Sequence, residues 1–189
     1  MTTSIKRALA DRQAGHSLPR ALYTDPAIHE FDLQAIYSRH WIQAGLESQI
    51  PRPGDYLTMT VGKSPIVILR DTAGAISAFF NTCRHRGAQI CSEPRGHAHR
   101  LVCPYHRWTY DLNGQLLKAA RMPTDFRVGD YRLLKTYLRA VGSTGDYRRV
   151  LSPFLGETFL RGWVPIRVEQ SLHVSEYTRR KPDASCPSV

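Results

Sequence analysis

No stretch of this 189-residue chain is apolar for long enough to cross a bilayer; its most apolar short run is only Pro65 to Leu69. The opening residues, MTTSIKRALADRQAGHS, are basic but lack the continuous apolar segment of a secretory leader. A cytoplasmic, membrane-free protein is therefore expected. Cysteine is scarce as well, and four cysteines in a leaderless chain do not read as a disulfide framework. Acidic side chains are outnumbered, 16 against 26 Lys and Arg, which leaves a net charge of +10. Such a charge raises the question of nucleic acid. The cations are scattered rather than massed, however, so the expected partner is an acidic protein and not nucleic acid. No internal repeat is visible. What remains is a soluble globular balance, with 42% hydrophobic and 22% charged residues, in a length suited to one ordinary domain with an appendage.

The first forty residues read as a helical lead-in. Asp25 before Pro26 offers an N-cap and a first helical residue, and Ile28, Phe31, Ala35 and Ile36 then recur at helical spacing. From Trp41 to residue 136 the texture changes to short strands broken by turns. DYLTMTV (Asp55–Val61) mixes β-formers with polar residues, and SPIVILR (Ser64–Arg70) reads as a buried strand. Turn residues 71–74 precede a strand over 75–80, and residues 99–102 and 107–110 suggest two more strands around a loop. Asn113-Gly114 between TYDL and QLL signals a hairpin. The expected fold class is mainly β, an antiparallel sandwich with a helical N-terminal segment. Residues 137–189, rich in Arg, Ser, Pro and Thr, show neither period and read as a divergent, poorly folding tail.

The chemistry concentrates in Cys83-Arg84-His85, then seventeen residues, then Cys103-Pro104-Tyr105-His106. A lone Cys-x-His is common and usually structural. Two such pairs on adjacent β loops can converge on one centre, holding a tetrahedral zinc or a two-iron cluster with two histidine ligands. Zinc knuckles are smaller units without a preceding run of strands, so the strand context favours iron. Cys91 reads as a small buried hydrophobe, and Cys186 has no evident partner. Trp108 and Tyr110 read as sheet packing, His97 and His99 as solvent-facing, and Gly87 and Pro104 as loop-shaping residues.

CRHRG…CPYHRWTYDLNGQL resembles the cluster-binding region of the α subunits of Rieske non-haem iron oxygenases. The preceding LPRALYTDPAIHEFDLQAIYSRHWIQAGLESQIPRPGDY is similar to the N-terminal segment of the same subunits. The likeness is strongest to the branch acting on glycine betaine, stachydrine and related quaternary ammonium compounds, with ring-hydroxylating dioxygenases as cousins. The resemblance implies a [2Fe–2S] cluster with Cys83 and Cys103 on one iron and His85 and His106 on the other. It implies electrons arriving from an NAD(P)H-dependent ferredoxin or flavin reductase, with Arg84, Arg86 and Arg107 as candidate docking cations. The respiratory branch carries an extra cysteine in each loop; Ala88 and Tyr105 stand there, so a lower-potential, oxygenase-type cluster is implied.

Full-length relatives continue into a domain holding a mononuclear Fe(II) through two histidines and a carboxylate. After Lys135 this chain offers only His173, so that site and its oxygen insertion or N-demethylation are expected only in a full-length relative. The resemblance fades near Gly142, and the expectation is a truncated or frameshifted product. Two other functions remain open from sequence: a stand-alone Rieske ferredoxin, and a zinc-binding module that contacts nucleic acid through the basic charge.

Overall fold

The computed structural model describes residues 3–138 and 163–167. Three short helices lead: α1 (Thr3–Ala10), α2 (Ala21–Thr24) and α3 (Pro26–Asp32). The α3 cap is the one its sequence predicts, since the Asp25 carboxylate accepts from Ala27 N–H at 2.8 Å and Pro26 sits in the first turn. Ile28 then packs with Ile5 and Ala8 of α1, giving the lead-in a small core of its own. The helical path continues as a π-turn over Leu33–Tyr37, which leaves Ile36 exposed.

Among the described residues ten strands follow: β1 (Ile42–Leu46), β2 (Asp55–Val61), β3 (Ser64–Arg70), β4 (Ile76–Phe80), β5 (Arg95–His97), β6 (Leu101–Val102), β7 (Thr109–Tyr110), β8 (Leu116–Lys118), β9 (Tyr137–Leu138) and β10 (Trp163–Arg167). They pair antiparallel in three sheets, ordered β4-β3-β2-β5, β6-β7-β8 and β1-β10-β9. The mainly β, antiparallel fold class read from the sequence is the one observed.

The unbroken apolar run of β3 has a direct cause. Side chains alternate across a strand, so a strand covered on both faces must be apolar throughout. Val67 and Leu69 enter a core with Phe79, Leu101, Trp108, Tyr110, Leu116 and Leu133. Ile66 and Ile68 enter a second core with Ile50, Leu57, Ala78 and Ile166 of β10. All four are fully buried, each stabilising by about 1.5–3 kcal/mol.

The two expected turns share one construction. Asp71 Oδ1 accepts from Ala73 and Ala75 N–H, and Asp111 Oδ1 accepts from Asn113 and Gln115 N–H, each closing a chain reversal. In the second, left-handed Gly114 (φ 79°) has no room for a Cβ, which would lie 2.6 Å from Phe79. The β7–β8 connection is therefore a five-residue, Asp-directed loop rather than a tight two-residue turn.

Three differences from the sequence reading have physical reasons. The strand expected over 107–110 begins only at Thr109, because Arg107 is left-handed (φ 60°) and belongs to the preceding turn. Edge strand β5 pairs with β2 alone and is exposed at all three residues, so it has no apolar alternation to detect. Within the stretch where neither period was visible, β10 pairs with β1, its Pro165 opposite Gln43. On the other side β9 pairs with Ile166 and Arg167. The expectations for residues 142–162 and 168–189, including His173 and Cys186, lie outside the described residues.

Candidate metal centre

Two loops at one end of the β body carry the motif, and their backbones follow one pattern. The cysteine N–H donates to the carbonyl five residues on: Cys83 to Ala88 and Cys103 to Trp108, both at 2.8 Å. The cysteine carbonyl accepts from the N–H four residues on, Gly87 in one loop and Arg107 in the other, both at 3.0 Å. Each turn is closed by a left-handed residue, Gly87 (φ 76°) and Arg107 (φ 60°). Such a residue turns the chain back sharply enough for both bonds to form.

The side chains sort into two layers. Cys83 and Cys103 are buried, 1% and 2% exposed, at the edge of the first core. Their sulfurs interact, and Cys83 is pushed up to about 11: burial is the main cause, the Tyr110 hydrogen bond opposes it, and Cys103 adds to the rise. The imidazoles of His85 and His106 are half-buried and meet edge to face, with ring centroids 4.7 Å apart. Both Nδ1 atoms are sealed from solvent, and among the described residues that of His106 has no hydrogen-bond partner. A buried polar atom left in that state is costly unless something absent from the polypeptide takes it up.

Packing fixes these rings. Trp108, 2% exposed, lies parallel to His85 at 4.8 Å and 5° between planes. Phe126 and Tyr131 back the indole at 5.5 and 5.9 Å. Exposed Tyr105 lies over His106 with centroids 3.8 Å apart. Tyr110 does more than pack. Its fully buried hydroxyl accepts from Arg84 N–H at 3.0 Å and lies 3.3 Å from Cys83 Sγ. With the oxygen already accepting, the phenolic proton is free to point at sulfur. Burial, then the neighbouring Cys83, raises the Tyr110 pKa and keeps that proton in place.

The remaining sequence candidates take varied places. Arg86 and Arg107 are exposed, whereas Arg84 is half-buried against Tyr110 through its N–H. The His106 pKa is lowered, first by burial and then by Arg86 and Arg121. Arg121 was not anticipated: it is left-handed (φ 64°), and only folding brings it near this ring. Cys91 is buried in the first core, where burial pushes its thiol up to about 11. His97 is solvent-exposed yet engaged, its Nδ1 2.8 Å from Asp55 Oδ1. That contact first, then Arg52, holds the Asp55 carboxyl well down at about 2 and ties β5 to β2.

Two buried thiols and two imidazoles with sheltered Nδ1 atoms are a donor set suited to iron–sulfur chemistry. Among the described residues, no three His, Cys, Asp or Glu side chains converge closely enough to hold one metal ion. Two irons need only two protein ligands each. Among the described residues, no helix is long and apolar enough to cross a membrane.

This chain is similar to several known proteins. The glycine betaine monooxygenase oxygenase subunit of Chromohalobacter salexigens is 43% identical over 126 residues, 66% of this chain and 28% of that protein. The benzene 1,2-dioxygenase α subunit of Pseudomonas putida is 42% identical over 115 residues, 61% of this chain and 25% of that protein. The chain thus spans less than a third of the length of these relatives. The solved apo structure of the quaternary ammonium Rieske monooxygenase CntA superposes with a TM-score of 0.64 at 26% identity, covering 85% of this chain and 42% of that one. Residues 40–137 match the family model of the Rieske [2Fe-2S] domain, and with the cysteine and histidine layers just described this chain belongs to that family, as found in oxygenase α subunits.

Proposed function

We propose that Cys83 and Cys103 hold one iron of a [2Fe–2S] cluster through sulfur and that His85 and His106 hold the other through their buried Nδ1 atoms. The observation that carries this reading is the layering itself: paired thiols in the core edge and paired imidazoles outside them. Bound there, the cluster supplies one-electron acceptance and donation at a potential above that of an all-cysteine ferredoxin. The polypeptide does the rest. Trp108 sets the plane of His85, the Tyr110 hydroxyl donates to the Cys83 sulfur, and the aromatic backing excludes water from the inner layer. The half-buried imidazole edges are where a redox partner can approach.

In this reading electrons come from an NAD(P)H-dependent ferredoxin or flavin reductase, drawn in by Arg84, Arg86 and Arg107. In a full-length relative they would pass on towards a mononuclear iron, which would supply oxygen insertion or demethylation of an aromatic or quaternary ammonium compound. The relatives named for glycine betaine and benzene support that pair of substrate classes.

The test is anaerobic purification followed by metal and sulfide analysis and low-temperature EPR. About two irons and two sulfides per chain with a rhombic reduced signal are expected. A colourless, zinc-loaded chain with the same fold overturns the reading. Stopped-flow reduction by an acidic ferredoxin should slow as salt rises past about 0.1 M, where the screening length is about 10 Å.

A further inference from the structure

The two ligand loops share a turn but not a foundation. The loop of Cys103 grows from a ladder: Val102 pairs with Thr109 and Leu101 with Tyr110, and β7 pairs onward with β8. The loop of Cys83 has a single bridge beneath it, Thr82 with Gln89. One step further down, where a second rung would lie, Asn81 takes over with its side chain.

Asn81 is 0% exposed. Its Oδ1 accepts from Ile90 N–H at 3.2 Å and Cys91 N–H at 2.9 Å, and its Nδ2 donates to Cys91 O at 2.7 Å. One carboxamide thus satisfies three backbone groups on the segment leaving the loop. Its own N–H donates to Pro65 O at 2.8 Å, anchoring it to the first residues of β3. Among amino acids of this size, only asparagine offers an acceptor and an unconditional donor together; Asp lacks the donor and Leu lacks both. Gln89 Nε2 also donates to Cys91 O at 2.9 Å, so that carbonyl is held from two sides.

We propose that Asn81 is a positioning residue for the cluster: its carboxamide replaces the missing rung and fixes Cys83 and His85 relative to the Cys103–His106 pair. It touches no ligand atom and acts through the backbone of the loop. The proposal rests on the cluster reading above. Its consequence is asymmetric, because the first ligand pair depends on one side chain and the second on a sheet.

The experiment uses the full chain, loaded anaerobically. Asn81→Ala and Asn81→Asp are compared with Ile50→Val and Ile50→Ala, which loosen the second core away from the loops and bracket the loss of thermal stability. Two readouts are taken at matched Tm: the principal g-values of the reduced cluster, and the rate of iron release to a chelator. Asn81→Ala should shift the g-values and speed release at least tenfold over the matched Ile50 variant. Asn81→Asp, which keeps the two accepted bonds but sets an acceptor against Cys91 O in place of the donor, should do so as well. Should Asn81→Ala fail to fold, Asn81→Asp against Ile50→Val carries the same comparison. Asn81 variants that match the Ile50 variants in both readouts overturn the proposal and leave Asn81 as ordinary core. A wild-type chain with no [2Fe–2S] signal instead sinks the cluster reading itself.

Discussion

Loops 83–88 and 103–108 solve the same geometric problem with different means. Both need a left-handed residue four positions after the cysteine. The first uses Gly87, which takes that conformation without steric cost, over a foundation of one bridge and the Asn81 carboxamide. The second uses Arg107, for which a left-handed backbone costs about 1–2 kcal/mol. Its turn is held by a two-rung ladder in a three-stranded sheet. A strained residue persists where the surrounding structure over-determines it. The loop with the weaker foundation carries the permissive residue, and the loop with the stronger one carries the strain.

The harshest test removes a proposed ligand from either loop. Cys83→Ser and Cys103→Ser should each abolish the reduced EPR signal and lower the melting temperature, because metal binding energy here is folding energy. A retained signal in either variant would remove that cysteine from the proposed ligand set. A gentler change separates the loops. Tyr110→Phe removes a hydrogen bond to the sulfur of the first loop only, so the negative charge gained on reduction is less well stabilised. The potential should fall by on the order of 60 mV, a factor of ten for a one-electron couple. Protein-film voltammetry checks it, and an unchanged potential would mean that the phenol serves Arg84 N–H alone.

Exchanging the left-handed residues sharpens the comparison further. A Cβ at Gly87 meets only Thr82 Cγ2 at 4.0 Å, so Gly87→Ala is unfavourable through backbone strain alone, by about 1 kcal/mol. Arg107→Gly relieves strain while adding unfolded-state freedom, and should be neutral to about 1 kcal/mol stabilising. Denaturant midpoints of the two variants should therefore move in opposite directions or in one direction only for Gly87→Ala; a larger loss for Arg107→Gly contradicts the argument. The smallest effect is expected at Cys91, whose side chain is packing. Cys91→Ala should leave the absorption and EPR spectra unchanged, and loss of the signal would reassign it to the metal.

Much of this molecule is written locally. Strands β2 and β3 show their bounds because their neighbours bury them in regular alternation or on both faces. Asp25-Pro26 and the two Asp-headed turns are visible because the capping oxygen and the capped N–H lie two to four residues apart. The Cys/His spacing drew attention to Cys83, His85, Cys103 and His106 for a similar reason: each pair lies within one short loop.

Other features depend on partners far along the chain. Nothing near Asn81 announces that its carboxamide will meet Ile90 and Cys91, and a tyrosine at 110 looks like any strand aromatic until Cys83 arrives beside it. Arg121 reaches His106 only through the fold, and Pro165 disguises a strand that pairs with β1 more than a hundred residues earlier in the chain. The sequence by itself determined the β class, the main turns and the chemical type of the donor set, since each rests on periodicity or on contacts a few residues long. Tertiary structure alone decided which thiols and imidazoles face one another, which phenol meets a sulfur and which loop stands on a side chain, because those contacts form across sheets, where local spacing carries no information.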